Sequence, residues 1–399
     1  MIDKALIMYL IDLKAYYHFP KFKKMLKYFH LLMPAILLFS CAEGKRSEII
    51  SIDPTNDKQI LFSEIVADYQ VVNLDKPEEI EWGKIDIVRN FDDYIFLVDR
   101  FQTKTVTVFD MKGNFIKQLK RAGDAPGEYA DLSLFTYDPV KNALVVYSRM
   151  QGVKMYDFET LEVQKEIPIS ERYFMGMEWL SNNKYFVIKE YNSPEDEGGF
   201  YVVDENFNEV KELDIPNYNA SIEISYPATL SRTGNSILYN YSSDQSKIYE
   251  LSADNLEVKH QLNFGSNNID SKDIWKAIES EEFEREVFLN KKATFIQFFK
   301  ENDKYNSFWF INGVNGGRNN LAVYDKKTGE SKVIRKVYDR DVDVFADLHP
   351  NGILNNQYVS ILNSESDLME KIFETKEEEI DLGDDYLFVY DLNWENAIK

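Results

Sequence analysis

Cysteine and histidine are scarce in this chain. Its 399 residues contain one Cys, Cys41, and four His. A single Cys excludes a disulfide framework within the chain and any Cys-based zinc cluster. After residue 41 the only His residues are His260 and His349, which are too far apart for a paired-His metal motif. Gly-x-Ser-x-Gly and phosphate-binding Gly-rich motifs are also missing. The sequence therefore predicts no metal, no cofactor and no identifiable catalytic residue.

Basic residues are fewer than acidic ones. Lys and Arg number 46 and Asp and Glu number 68, so the formal net charge is −22. A field of that sign repels phosphate backbones, which argues against nucleic acid as a partner. Hydrophobic residues make up 44% of the chain and aromatic residues 14%, so the chain can bury a large core and is not disordered.

The first forty residues have the layout of a signal peptide. Several Lys residues between positions 21 and 27 precede an apolar run, residues 31–39, which stops at Ser40-Cys41. That run is about nine residues long, whereas a membrane-spanning helix needs about twenty. Because the stretch before Met25 is long for the n-region of a signal peptide, Met25 is an alternative start.

The sequence Leu38-Phe39-Ser40-Cys41 resembles a bacterial lipobox. The resemblance implies that Cys41 becomes the lipid-modified first residue of the mature chain and attaches it to a membrane. A buried free thiol is the alternative for Cys41. We therefore expect a signal peptide at residues 1–40 and a tether and lead-in segment at residues 41–68.

A repeat runs through the rest of the chain. Strand-like runs end in an aromatic or apolar residue followed by an acid, and those acids are Asp110, Asp157, Asp204, Glu250, Asp325 and Asp391. The steps between them are 47, 47, 46, 75 and 66 residues. The two long steps contain segments with helical patterns, residues 270–291 and residues 364–380, which we interpret as insertions. Without these insertions the period is roughly constant.

Repeats of roughly 40 to 50 residues with four strands each are typical of a β-propeller. Each marked run has a β-rich run and an inner strand before it, and a turn and a further strand follow the first five. The sixth unit lacks its last strand. We predict an all-β, six-bladed β-propeller at residues 69–399 with two short helical insertions, in which residues 69–74 close the last blade.

One segment carries a family resemblance. Residues 121–129 read Arg-Ala-Gly-Asp-Ala-Pro-Gly-Glu-Tyr, and they resemble the Gly-x-Gly-Pro-Gly-Glu-Tyr segment of six-bladed β-propeller lipoproteins common in Bacteroidetes, a family related in shape to NHL and TolB-like propellers. Ala125 stands where Gly is usual. The resemblance implies a propeller fold and an envelope location, but little about mechanism. The residues of the segment that we interpret as a structural loop are Gly123, Pro126, Gly127, Glu128 and Tyr129. A direct ligand contact from Glu128 and Tyr129 is the alternative.

Loops between the second and third strands of successive blades lie on one face of the ring. The candidate ligand-binding residues there are Arg100, Arg149, Tyr241 and Arg318. Arginine suits carboxylates, and aromatic rings suit sugar faces or apolar groups. The alternative is that the Arg residues pair with acids of neighbouring blades.

Three functions fit these patterns. The first is a lipid-anchored, non-enzymatic propeller that binds a protein or glycan partner in the bacterial cell envelope, with the outer membrane as the expected site. The second is a propeller hydrolase or lyase with a pocket of Asp, Glu, Arg and Tyr at the ring axis. The third, a structural subunit of an outer-membrane complex, differs from the first only in how permanent the partner is.

Overall fold

The computed structural model describes the residues from 47 onwards, with gaps. The described ranges are 47–91, 93–169, 173–181, 183–189, 199–213, 230–233, 236–240, 246–253, 255–270, 273–274, 276–277, 280–339, 341–363, 366–376 and 385–392. The predicted signal peptide, Cys41 and Tyr241 lie outside these ranges. Within them, no helix is both long and apolar enough to cross a membrane.

Nearly all regular structure is β-strand. The strands are β1 (Glu48–Ser51), β2 (Asp57–Leu61), β3 (Val66–Asn73), β4 (Ile87–Phe91), β5 (Tyr94–Asp99), β6 (Thr105–Asp110), β7 (Phe115–Leu119), β8 (Leu134–Asp138), β9 (Ala143–Ser148), β10 (Gly152–Asp157), β11 (Val163–Ile167), β12 (Phe174–Ser181), β13 (Lys184–Lys189), β14 (Gly199–Val203), β15 (Glu209–Leu213), β16 (Leu230–Thr233), β17 (Ser236–Asn240), β18 (Lys247–Leu251), β19 (Leu256–Asn263), β20 (Ala293–Glu301), β21 (Tyr305–Asn312), β22 (Arg318–Asp325), β23 (Glu330–Asp339), β24 (Val342–Asp343), β25 (Gly352–Leu354), β26 (Gln357–Asn363) and β27 (Asp385–Leu392). The α-helices are α1 (Phe62–Ile65) and α2 (Asp367–Lys376).

The strands form six blades of a β-propeller, each built on four antiparallel strands. Blades 1, 2 and 3 are β4–β7, β8–β11 and β12–β15, blades 4 and 5 contain β16–β19 and β20–β23, and blade 6 contains β25–β27 with β3. The first strand of each blade is the inner one. The predicted six-bladed, all-β architecture is confirmed.

The acid that marks the repeat has a structural role. It ends the third strand of a blade, and its carboxylate accepts backbone N–H groups of the turn that follows. Asp110 accepts from Lys112 N at 2.8 Å, Asp157 from Thr160 N at 2.8 Å, and Asp325 from Lys327 N at 2.7 Å. Asp204 does the same for Asn206 N, whereas Glu250 accepts from the side chains of Ser236 and Lys259. Organising the outer hairpins of blades 1, 2, 3 and 5 explains why an acid recurs there with the blade period.

The N-terminal strand β3 closes the ring, as predicted from the missing strand of the sixth unit. It pairs antiparallel with β27 from Tyr386↔Asn73 to Leu392↔Val66. The observed strand starts three residues before the predicted one. Tyr69 packs on Phe388 with 5.2 Å between ring centroids, which adds an apolar contact to the backbone ladder.

Two further strands, β1 and β2, precede β3, and the sequence did not predict them. The sequence placed residues 48–61 in the lead-in segment, whereas in the structure β1 pairs in parallel with β19 of blade 4, and β2 pairs in parallel with β23 of blade 5. Ile50 of β1 is fully buried. The start of the described chain therefore lies along the outer edges of blades 4, 5 and 6 in turn.

Both predicted insertions contain helical residues. Within residues 270–291, between blades 4 and 5, the described residues 273–274 and 276–277 are helical, and a π-helix follows at Arg285–Leu289. Glu281, between these helical stretches, has φ +59°, which interrupts a regular helix at that residue. The insertion in blade 6 contains α2.

Buried apolar side chains lie between the blades around the whole ring. One cluster joins blades 1 to 4, and others join blades 4 and 5, blades 5 and 6, and blades 6 and 1. The middle strands supply most of these residues, such as Phe96 and Phe135, whose ring centroids are 5.5 Å apart across blades 1 and 2. This continuous packing fixes the inner strands and the loops that they carry.

Candidate functional site

A pocket of about 630 Å³ opens on the face that carries the loops between second and third strands. Its residues come from blades 1, 2 and 3. The lining residues are Arg100, Phe101, Lys104, Asp131, Leu132, Ser133, Leu134, Arg149, Met150, Phe174 and Met175. Strand direction alternates within a blade, so the start of each inner strand lies on the same face as these loops. We call this site the blade 1–3 pocket.

Arg100 follows β5 directly and is held in place by two blades. Its Nε donates to Asp86 Oδ2 at 2.8 Å, and Nη1 is 3.4 Å from the carbonyl oxygen of Ser133 in blade 2. Its guanidinium also lies 4.8 Å from the ring centroid of Phe101. Burial raises the pKa of Asp86, although the charge of Arg100 acts to lower it. Arg100 thus has partners within the fold and ties blade 1 to blade 2.

Asp131 organises the floor of the pocket. It accepts hydrogen bonds from the hydroxyls of Ser133 and Ser148, and from the backbone N–H groups of Arg149 at 3.1 Å and Met150 at 3.4 Å. Burial acts to raise the pKa of Asp131, but these hydrogen bonds outweigh burial and lower it below the usual range. The ionised carboxylate therefore holds the loop that presents Arg149.

Arg149 is the exposed cation of this pocket. Among the described residues, no carboxylate lies within 4.0 Å of its guanidinium, which faces the ring of Tyr173 at 6.0 Å. Exposed apolar side chains lie in the same region: Phe101 and Met150, which also line the pocket, are 71% and 78% exposed, and Tyr173 is 45% exposed. Grouped exposed apolar side chains next to a cation are typical of a binding surface.

The other predicted ligand residues are not brought together with this pair. Arg318 begins β22 in blade 5 and is exposed, and it does not line the blade 1–3 pocket. Tyr241 lies outside the described residues. The structure thus brings Arg100 and Arg149 to one pocket and places Arg318 elsewhere.

The loop at residues 121–129 makes contacts within the fold. The Tyr129 hydroxyl donates to Lys104 O at 2.8 Å, and burial raises the pKa of Tyr129 to about 12.

The turn of this loop is also bonded to the neighbouring blade. Gly127 N donates to Glu166 Oε1 at 3.1 Å, and the Gly127 carbonyl accepts from the Tyr156 hydroxyl at 3.0 Å. Gly127 has φ +81°, a conformation that favours Gly. Ala125 N donates to Glu128 at 3.0 Å, and a Cβ at position 123 would clash with the same carboxylate, so Gly123 leaves room for it. Pro126 is exposed.

A second cluster lies at the ring axis. Glu178 of inner strand β12 accepts from Arg232 Nε of blade 4 at 3.0 Å and from Thr136 Oγ1 of blade 2 at 3.0 Å, and it lies 3.7 Å from Arg89 Nε of blade 1. All four side chains are buried. Four blades therefore meet through one carboxylate.

A propeller hydrolase or lyase would need acids of the inner strands at the ring axis. The acids of the described inner strands are Asp138, Glu178 and Glu301. Asp138 accepts from the Tyr185 hydroxyl at 2.5 Å, and Glu301 pairs with Lys326 at 2.6 Å and His260 at 3.3 Å. Acid–base hydrolysis uses two carboxylates placed together, and Asp138 and Glu301 pair with residues other than the partners of Glu178. The described residues also hold no group of three or more His, Cys, Asp or Glu side chains that could bind a metal ion.

Sequence reasoning missed the axial residues and the apolar rim of the pocket. Arg89, Glu178 and Arg232 belong to inner strands, which carry no sequence marker of their own. The rim did leave a signal, because Arg100-Phe101 and Arg149-Met150 occupy equivalent positions after the second strands of blades 1 and 2. An arginine followed by an exposed apolar residue, repeated one blade later, could have indicated a shared site.

A family comparison covers most of the chain. A family described as a domain of unknown function, DUF4934, matches residues 47–385. The chain belongs to this family. The match begins just before β1 and ends at the first residue of β27, so the DUF4934 region covers blades 1 to 5 and the part of blade 6 that precedes β27. A search among curated proteins found no match.

One solved structure shares the fold of this DUF4934 chain, and two others match it at lower TM-scores. A Bacteroides fragilis protein, described as a candidate exported protein, matches with a TM-score of 0.65 and 16% identity over 86% of this chain and 99% of that chain. At this identity the likeness concerns the fold alone. BamB from Moraxella catarrhalis gives a TM-score of 0.33 with 12% identity over 68% of each chain. The β-propeller domain of Cps50 (Swd1) from Myceliophteria thermophila gives 0.40 with 10% identity over 81% of this chain and 98% of that domain.

Proposed function

We propose that this chain is a lipid-anchored envelope protein whose propeller binds a partner protein at the blade 1–3 pocket, without catalysing a reaction. The observation that carries the proposal is the exposed guanidinium of Arg149 beside three exposed apolar side chains, in a chain of net charge −22. A cation in a strongly acidic protein is a local reversal of the surface field. It favours a partner group that carries a carboxylate next to an apolar side chain.

The pocket lining favours a protein over a glycan. Six of its eleven lining residues are Phe, Leu or Met. Its other charged side chains have partners within the fold: Arg100 bonds to Asp86, Lys104 donates to Ala130 O at 2.9 Å, and Asp131 accepts four hydrogen bonds. A sugar presents many hydroxyls that need directed hydrogen bonds, whereas an apolar protein segment needs few.

The membrane anchor is proposed from the lipobox-like sequence that ends at Cys41. Its test is metabolic labelling with an alkyne fatty acid, comparing the wild-type chain with Cys41→Ala. We expect label only on the wild-type chain, and equal labelling of the two would refute the anchor. Support for export also comes from the Bacteroides fragilis protein of similar fold, which is described as a candidate exported protein.

The binding proposal is tested by coupling the purified propeller to resin and measuring proteins captured from an envelope extract. We expect Arg149→Ala and Met150→Ala each to weaken capture of the same partner about tenfold or more, as for residues central to an interface. The matched control is Arg318→Ala, which removes an exposed Arg on an equivalent loop of blade 5. Equal capture by Arg149→Ala and Arg318→Ala would contradict this site.

The catalytic alternative predicts a different result. A propeller hydrolase or lyase centred on the axis would depend on Glu178, whose side chain is buried and paired with Arg232. Glu178→Gln would then abolish turnover of a substrate while Arg149→Ala would not affect it. Because the Glu178 carboxylate already accepts from Arg232 and Thr136 within the fold, we favour the binding function.

A further inference from the structure

Lys300 is a buried amine of inner strand β20, and its side chain is 2% exposed. Among the described residues, no carboxylate lies within 4.0 Å of its Nζ, and no acceptor bonds to it. The charge that acts on it most strongly is that of Arg89, which belongs to blade 1. Blades 5 and 1 are not neighbours, so this interaction passes through the ring axis. A buried cation with a like-charged neighbour is unfavourable.

Other hydrogen-bond donors share this face of blade 5. Lys300 lies opposite Ser307 in the β20–β21 pair, and Trp309 lies two residues further along β21 on the same face. Trp309 Nε1 is buried and has no partner among the described residues. Ser307 Oγ lies beside Tyr358 and is also buried without a hydrogen-bond partner among the described residues. An indole N–H can only donate, so the buried groups beside Lys300 lack an acceptor.

The backbone of β20 is distorted around Lys300. Its pairing with β21 shifts register between Thr294 and Gln297 and again between Gln297 and Lys300. Phe298, inside the second shift, has φ +53°, a left-handed conformation that is strained for a bulky residue. Bulges re-aim side chains and are enriched beside functional sites. Lys300 is the residue at which the second register shift ends.

Burial at this corner of blades 5 and 6 disfavours the charged forms of Lys300 and His349. Burial, then the charge of Arg89, lowers the pKa of Lys300 to about 7. Burial, then the charge of Lys300, lowers the pKa of His349 to about 4. The His349 ring packs against Phe298 with 3.9 Å between centroids, and against Trp309 at 5.3 Å. A large share of Lys300 is therefore the neutral amine, the nucleophilic form, near neutral pH.

We propose that Lys300 is a carbamylation site, at which its ε-amine adds carbon dioxide and becomes an anionic carbamate. The amine lone pair attacks the carbon of CO₂ and forms the N–C bond. One C=O electron pair moves onto oxygen, and the nitrogen releases one proton to water. No group leaves and nothing is oxidised or reduced.

The carbamate supplies what this corner lacks. It replaces an amine by two acceptor oxygens, which the donors Trp309 Nε1 and Ser307 Oγ can bond. Its negative charge is attracted by Arg89, whose positive charge opposes protonation of the free amine. CO₂ is small and uncharged, so it can reach a side chain that is buried among aromatic rings.

The test uses ¹³C-labelled bicarbonate and the folded propeller. We expect one protein-bound ¹³C carbamate signal, present in the wild-type chain and absent from Lys300→Met. Lys332→Met is the matched control: burial lowers the pKa of Lys332 to about 8, yet Lys332 lies on the outer strand β23, away from Trp309. The signal should persist in that variant. Trp309→Phe, which keeps the amine and removes one donor, should reduce it severalfold.

A second measurement does not depend on the variants folding well. Bicarbonate should raise the melting temperature of the wild-type chain above its value in chloride of equal ionic strength, because a ligand that adds to the folded state stabilises it. Phosphate and acetate should produce no such rise. The proposal would be overturned if the wild-type chain gave no carbamate signal or if the signal survived in Lys300→Met. It would also be overturned if phosphate or acetate raised the melting temperature as much as bicarbonate does.

Discussion

The guanidinium carbon of Arg232 lies 5.0 Å from the ring centroid of Phe91. Arg232 belongs to blade 4 and Phe91 to blade 1, so this contact spans the ring between opposite blades. The same guanidinium bonds Glu178 of blade 3. Side chains thus fill the axis at this level, and their mutual contacts hold blades together that share no backbone pairing.

Glu178→Gln should destabilise the propeller strongly. The substitution keeps the shape of the side chain and removes the charge that compensates Arg232 and Arg89, both buried. Removing one partner of a buried ion pair costs about 3–5 kcal/mol of unfolding free energy. Urea denaturation measures this loss. The control is Glu162→Gln, whose ion pair with Arg121 is exposed and should contribute less than about 1 kcal/mol. Similar losses for the two variants would show that the axial charges do not hold the ring.

Removing β3 should open the ring. A chain that starts at residue 75 leaves the edge of β27 without its partner, and we expect aggregation or a melting temperature lower by about 10 °C or more. A chain that starts at residue 62 also lacks β1 and β2 but retains β3, and is the matched control. If both chains melted alike and stayed soluble, β3 would not be needed for closure.

Tyr129→Phe should cost about 1–2 kcal/mol of unfolding free energy. The ring is fully buried, and the lost hydroxyl donates to Lys104 O at 2.8 Å and accepts from Arg121 N at 3.3 Å. Tyr173→Phe is the control, since that ring is partly exposed and should change stability by less than about 0.5 kcal/mol. If Tyr129→Phe left the free energy of unfolding unchanged, the loop at residues 121–129 would not depend on this hydroxyl.

The pKa of Lys300 predicts a specific pH dependence in CO₂-free buffer. Its pKa is about 7 in the folded chain and 10.5 as the ordinary value, so between these pH values the unfolded chain binds a proton that the folded chain does not. Folding stability therefore rises with pH across this window, by up to about 1.4 kcal/mol per pH unit from this group. Lys300→Met should lack this slope. Parallel stability curves for the two chains from pH 7 to pH 10 would refute the lowered pKa.

The fold could be predicted from the sequence because its marker is local. An acid recurs with the blade period, and in four blades, as Asp110 and Asp157 show, it caps the outer hairpin. Counting the strands of each unit also reveals that the sixth blade is incomplete. The two parallel edge strands could not be predicted in this way. β1 has only four residues, and its place is set by burial of Ile50 against blades 4 and 5, a contact with no local signature.

The candidate site was predictable only in part. Arg100 and Arg149 occupy equivalent repeat positions, so their shared face follows from the period. The different roles of the two arginines do not follow from the period. Arg100 pairs with Asp86, whereas among the described residues no carboxylate pairs with Arg149. Glu178 and Arg89 are far apart in the chain and meet only because all inner strands converge on the axis.

The pairing of Val72 with Leu387 joins residues separated by roughly 300 positions in the chain. Synthesis delivers β3 among the first strands and β27 last, so the earliest part of the propeller must wait for the end of translation before the ring can close. Contacts over such long separations carry a large loop-closure cost and form slowly. During that interval the partly assembled blades expose open strand edges. We therefore expect chaperones to bind the nascent chain and prevent its aggregation.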